Sequence, residues 1–287
     1  TVVFAHGSGP STRSVGFFTT FFLNLGINVL TFDKQGAGES TGDWETASLE
    51  DLANDVQAGI AFLKTQSTID PLKIGIMGNS QGGWTGSIAA SKVKDLAFLI
   101  MRVGAGESVF NTISHEYRGS LLADGFNAKE IDEIMQMYHA SWNAAKNGKT
   151  WEEGNKIRLT YTSKLWFPKI FPDEKKNTAS ASKWWLWLQK NLAYDSYPYL
   201  TQVKAPTLWL LGEKDWNVNS KVAFERVNRA LSVANNKDYK VKILPDMAHN
   251  GMVAKTGYYN EPWSFTYAEG FWQQVAQWLE DRNLSVK

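Results

Sequence analysis

"KIGIMGNSQGGW", residues 73–84, is the stretch on which the fold turns. Its first half, Lys73 to Gly78, is a short apolar run of the kind that forms a buried strand. Its second half opens a small-residue helix pattern, Gln81 to Ser91. Between them, Gly78-Asn79-Ser80-Gln81-Gly82 sets one serine on a strand-to-helix turn. Glycines on both sides relieve the crowding of so sharp a turn, which would hold the hydroxyl at the open end of a sheet. A tight turn that merely contains serine is written in the same letters, so the flanking chain has to separate the two.

Upstream, Val2 to Ala5 is a β-rich run ending in the loop His6-Gly7-Ser8-Gly9-Pro10, and a helix-like segment covers Val15 to Leu25. "INVLTFD", Ile27 to Asp33, reads as a second buried strand that breaks at "KQGAGESTG". From Ser48 to Thr65, Leu49, Leu52, Val56, Ile60 and Leu63 recur at the helical period, with Ser48 as the N-cap. Downstream, "LAFLIMRVG", Leu96 to Gly104, is the fourth strand.

The rhythm then changes. Between Ala105 and Leu200 the patterns are helical, as in Lys129 to Ala145, and six tryptophans fall there: Trp142, Trp151, Trp166, Trp184, Trp185 and Trp187. Strands resume at Pro206 to Gly212 and Tyr239 to Pro245, with helices over Ser220 to Leu231 and Thr266 to Arg282. Such alternation predicts an α/β fold: a mostly parallel sheet with helices on both faces. The expected organisation is a first core part over 1–104, a helical cap over 105–200 and a second core part over 201–287.

Composition narrows the function. The chain has 287 residues, enough to bury a large core. A net charge of +1 argues against a nucleic-acid partner, which needs clustered Lys and Arg. No run of about eighteen apolar residues is present to span a membrane. The absence of cysteine removes disulfides, thiolate metal sites and a cysteine nucleophile. The chain opens as "TVVFAHGSGP", already inside a strand pattern, so its natural start and any targeting segment are expected to precede Thr1.

A serine nucleophile needs a base, and that base an orienting carboxylate. Of four histidines, His6 is on the first loop and His115 and His139 fall in the cap. His249, in "PDMAHNG" just past the last strand, is where a base can face Ser80. "LLGEKDWNV" offers Glu213 and Asp215 after the fifth strand; Asp215 is preferred, with Glu213 and then Asp246 as alternatives. For the oxyanion, the N–H of Gln81 at a helix start is one donor and that of Ser8 the other, with Gly9 next.

His6-Gly7-Ser8-Gly9, the Ser80 turn, Gly212 to Asp215 and His249 together resemble the α/β-hydrolase superfamily, over essentially the whole chain. "DKQGAGESTGDW", "IDPLKIGIMGNSQGGW" and "APTLWLLGEKD" resemble its bacterial serine esterases and serine-aminopeptidase-like members, relatives of dienelactone hydrolase. "HGSGP" with the serine turn also resembles the carbon–carbon-bond hydrolases of meta-cleavage products; the "IDPLKIG" lead-in and Gln81 fit the first branch better. The resemblance implies a lid where the helical block is inserted, and first strands of the fold that would precede Thr1.

The expected activity is therefore carboxylester hydrolysis of small or medium apolar esters through an acyl-enzyme, without cofactor or metal. A small peptidase or aminopeptidase, a thioesterase and a carbon–carbon hydrolase use the same machinery. An aminopeptidase would add a carboxylate for the substrate amine, for which Glu107, Glu116 and Asp124 are candidates. Trp84 and Trp216 are the tryptophans next to the expected site in sequence and are candidate pocket walls. A small-molecule-binding protein on a hydrolase scaffold is the reading outside enzymology.

Overall fold

The computed structural model describes residues 1–172, 178–262 and 264–285; residues 173–177 of the expected cap and 263, 286 and 287 of the expected second core part lie outside them. The elements run β1 (Val2–Ala5), α1 (Phe17–Asn24), β2 (Val29–Leu30), α2 (Leu49–Lys64), β3 (Gly75–Asn79), α3 (Gly82–Lys92) and β4 (Leu99–Arg102). Six helices follow: α4 (Val109–Ala123), α5 (Ala128–Lys146), α6 (Trp151–Leu159), α7 (Phe167–Ile170), α8 (Thr178–Asn191) and α9 (Tyr197–Leu200). Then come β5 (Thr207–Gly212), α10 (Ser220–Val233), β6 (Tyr239–Leu244) and α11 (Phe271–Glu280).

The strands form one sheet in the order β2-β1-β3-β4-β5-β6, every pair parallel. Strand alternation divides the core in two. Val3, Ala5, Ile76, Leu99, Met101, Trp209 and Leu211 face a layer containing α2, α3 and α10. Val2, Phe4, Met77, Ile100, Leu208 and Leu210 face α1 and α11 through Phe22, Phe271, Val275 and Trp278. Both faces are thus covered, as near-continuous apolar strands require. This is the α/β-hydrolase fold, with α4–α9 inserted between hydrogen-bonded neighbours β4 and β5. No helix among the described residues is long and apolar enough to cross a membrane.

The local signals mostly act as their chemistry dictates. Ser48 caps α2 in a reciprocal box with Asp51, and Asn127 and Thr150 do the same for α5 and α6 with Glu130 and Glu153. Several elements are shorter than the sequence predicts: β4 keeps Leu99–Arg102 of Leu96 to Gly104, α1 keeps Phe17–Asn24 of Val15 to Leu25, and two others have a visible cause. β2 keeps only Val29 and Leu30, because the chain peels off the sheet edge where Asp33 takes N–H groups from Arg13 and Glu39. The last helix starts at Phe271 rather than Thr266, since Tyr267 bridges to Met252 and Gly270 sits at φ 73°.

Candidate active site

β3 ends one residue before Ser80, whose φ of 54° lies in the left-handed region that few non-glycine residues occupy. The Ser80 N–H donates to the Arg102 carbonyl at 3.1 Å, and the Gly83 N–H returns to the Ser80 carbonyl at 2.8 Å. These bonds pin both sides of the strained residue. Sterics explain its glycine neighbours: a Cβ on Gly78 would reach the Gly82 carbonyl at 2.7 Å and also strike Met101, and one on Gly82 would land on the Ala5 carbonyl.

At the end of β5, the Asp215 side chain is fully buried and its Oδ1 accepts the N–H groups of Asn217 and Val218, each at 2.9 Å. The same carboxylate lies 3.0 and 2.8 Å from Nδ1 of His249, in the loop after β6. Nε2 of that ring is 2.8 Å from Ser80 Oγ. A carboxylate only accepts, so Nδ1 carries the hydrogen and the bare Nε2 accepts from the serine hydroxyl. That is the tautomer in which a ring can take the serine proton.

The other candidates for these roles have other partners. Glu213 points to the surface and accepts the N–H of Asp246, at a loop position where Asp246 has φ 53°. His6 is buried with Nε2–H donating to the Phe32 carbonyl at 2.6 Å, and burial holds its pKa below the usual value. His139 bonds Ser114 Oγ at 2.9 Å and packs against Phe110 and Trp142. Nε2 of His115 is buried without a hydrogen-bond partner among the described residues.

Gly7 lies against the elbow: a Cβ there would be 3.6 Å from Ser80 Cβ. The peptide that follows Gly7 carries the Ser8 N–H, and Gln81 is the residue that caps the start of α3. Neither N–H donates to any acceptor among the described residues. Free donors at a helix start and on a glycine loop suit a developing negative oxygen.

Ser8, Ser80, Gln81 and Trp84 border a cavity of about 370 Å³. Its aromatic walls are Trp44 and Tyr117 as well as Trp184 and Trp187, the last two stacked at 4.8 Å with a 9° interplanar angle. Trp84 also serves packing, since its Nε1–H donates to the Glu107 carbonyl. Of the three acids weighed for an amine, only Glu116 borders this cavity. Its carboxylate accepts from Asn217 at 3.1 Å, and burial raises its pKa, opposed by the neighbouring His249. Glu107 is bonded by Asn111, and Asp124 by Tyr259 outside the cavity. Trp216 borders a neighbouring cavity of about 260 Å³ with His249 and Arg102. The turn through Asp215 Oδ1 brings Asn217 and Val218 to the Ser80 cavity instead, and the Trp216 backbone backs onto Gly119.

Lys34, Trp44, Glu45, Arg102 and Asn217 escaped the sequence reading. Arg102 left the clearest signal, as a charge inside the apolar run of β4. Nε of Arg102 donates to Asn79 Oδ1 at 2.8 Å, and a terminal nitrogen to the Asn250 carbonyl at 2.6 Å. One buried guanidinium therefore braces the residue before Ser80 and the residue after His249.

Comparison with known proteins follows the same lines. A family model described as X-Pro dipeptidyl-peptidase (S15 family) matches residues 4–242. Among curated proteins, the uncharacterized protein YfhR of Salmonella typhi is 29% identical over 83 residues, which are 29% of this chain and 27% of that protein. The match thus spans little more than a quarter of that relative's length. Among solved structures, the Pyrococcus furiosus esterase Pf2001 is similar with a TM-score of 0.58 at 18% identity, covering 98% of this chain and 80% of that one. The monoacylglycerol lipase of Paleococcus ferrophilus gives 0.54 at 16% identity, with 98% and 94% covered. Est1E of Butyrivibrio proteoclasticus, solved with ferulic acid, gives 0.54 at 17% identity, with 99% and 87% covered.

Proposed function

The chain belongs to the X-Pro dipeptidyl-peptidase (S15) family and is a hydrolase of α/β-hydrolase fold, and from that premise we propose that it is a serine hydrolase whose nucleophile is Ser80. The observation that carries the reading is the unbroken relay from Asp215 through His249 to Ser80 Oγ. His249 Nε2 takes the Ser80 proton as Oγ attacks a substrate carbonyl carbon. The N–H groups of Ser8 and Gln81 receive the oxyanion, and Asp215 steadies the imidazolium. Collapse of the adduct expels the leaving group with the proton from His249. Water activated by the same ring then frees the acid from Ser80.

The substrate reading is a small or medium ester with an apolar acyl or aromatic part. The indole walls of the cavity support it, since such sites are concave and mostly apolar. We read α4–α9 as a cap over that cavity, and Trp84 as one of its walls. A second reading, a small peptidase for substrates with a free amine, is favoured by the family match and by Glu116 in the same cavity.

Labelling with a fluorophosphonate followed by peptide mass spectrometry tests the nucleophile. One adduct on Ser80, absent from folded Ser80→Ala, is the expected result; an adduct elsewhere, or none on wild type, overturns it. Parallel turnover of p-nitrophenyl esters and aminoacyl anilides then decides between the two substrate readings.

A further inference from the structure

Lys34 lies in "DKQGAGES", just past β2, and is only 3% exposed. Its Nζ donates to the Gly7 carbonyl at 2.8 Å and to Gln81 Oε1 at 2.6 Å, and sits 5.7 Å from the Trp44 ring centroid. No carboxylate among the described residues pairs with it. The adjacent Asp33 is committed to Arg13, whose guanidinium also reaches Glu39, and this holds the Asp33 carboxyl well below the usual range. Glu45 is engaged by Lys183, and His6 is buried under its own bond to Phe32. An ammonium buried among neutral acceptors is costly, so its retention calls for a role beyond packing.

The two acceptors supply that role. The Gly7 carbonyl belongs to the same peptide group as the Ser8 N–H, and in a trans peptide the two point in opposite directions. A cation fixed on the carbonyl therefore locks that plane with its hydrogen aimed away from Lys34, and draws electron density from it. The second acceptor is the side chain of Gln81, whose backbone supplies the other free N–H. Resting on the serine-hydrolase reading above, we propose that Lys34 is the positioning residue of the oxyanion site, holding both donor-bearing residues with one ammonium and strengthening the Ser8 N–H as charge develops on the substrate oxygen.

The role is specific to the transition state, so it belongs in kcat rather than KM. It also depends on charge. Burial lowers the Lys34 pKa to about 8. Below that value the ammonium is present; above it the neutral amine remains and polarisation weakens. The same titration stabilises the fold as pH rises, because the unfolded chain still binds the proton that the folded one has released. Loss of activity on this limb is therefore distinct from alkaline unfolding.

The experiment compares wild type with Lys34→Met on p-nitrophenyl acetate between about pH 6 and 10, with thermal melts at each pH. Wild-type kcat is expected to fall above about pH 8 while the melting temperature holds. Lys34→Met at neutral pH is expected to lose roughly tenfold to a hundredfold in kcat, with KM within about threefold and no alkaline limb. A variant with wild-type kcat, a loss confined to KM, or a wild-type kcat flat to about pH 10 overturns the proposal. If Lys34→Met does not melt cooperatively, the wild-type limb decides alone. Absence of a fluorophosphonate adduct on wild-type Ser80 would remove the serine-hydrolase reading and this proposal together. An adduct on Ser80 with unchanged Lys34→Met turnover would remove this proposal only.

Discussion

Below the cavity, at the carboxyl ends of the strands, polar groups are held by backbone and buried ions: Ser80 by Arg102 and Gly83, Asp215 by two N–H groups, the Ser8 loop by Lys34. Above it, α4 to α8 present indole and phenol rings that touch one another more than they bond. The lower region tolerates one arrangement; the upper one offers a surface whose shape rests on ring packing. On the function proposed above, chemistry sits on the rigid part and selectivity on the adaptable part. A change below should therefore act on every substrate alike, whereas a change above should re-rank substrates.

The sharpest way to break that contrast is Gly82→Ala. Its new Cβ would meet the Ala5 carbonyl, so the elbow must shift. A displacement of about 1 Å at such a site costs a hundredfold or more in kcat/KM, and overpacking about 1–3 kcal/mol of stability. Equal loss on acetyl and aromatic esters would sharpen the division; loss on one class only would break it. Arg102→Met comes next. The guanidinium braces Asn79 and Asn250, yet burial disfavours its charge, pushing its pKa down to about 10. Kcat should fall roughly tenfold while the melting temperature changes little, because lost hydrogen bonds are offset by a removed buried charge. A melting temperature that drops as far as activity would make Arg102 an ordinary structural residue. Trp184→Ala is the mildest. Its ring, stacked on Trp187, borders the cavity and is only partly buried, so KM for aromatic esters should rise about threefold to tenfold and that for acetyl esters should stay level. An equal change for both would count against selectivity residing in the helices.

The same division governs what the sequence makes legible. Steric demand writes itself into residue type: only glycine fits at Gly78 and Gly82, and Ser80 and Asp215 follow strands whose apolar runs are plain, while His249 follows the half-polar β6. Lys34 was hidden because a lysine that opens a glycine-rich turn looks like a solvated charge; its burial arises from Gly7 and Gln81, distant in the chain, and from Trp44. The tryptophans were visible as a cluster, but which of them border the cavity depends on how α5, α6 and α8 pack. No local period encodes that, and proximity in sequence leads to Trp216, which borders the neighbouring cavity with His249.

β4 and β5 are hydrogen-bonded neighbours, yet residues 103–206 separate them. Closing a loop of that length costs on the order of 4 kcal/mol in chain entropy. Its helices α4, α5 and α6 carry their own caps at Ser108, Asn127 and Thr150 and can form from local contacts. Ser80 lies before the loop and both its partners after it. On the function proposed above, the nucleophile thus leaves the ribosome during synthesis well ahead of the imidazole that would arm it, and the nascent chain carries an inert serine until His249 reaches it.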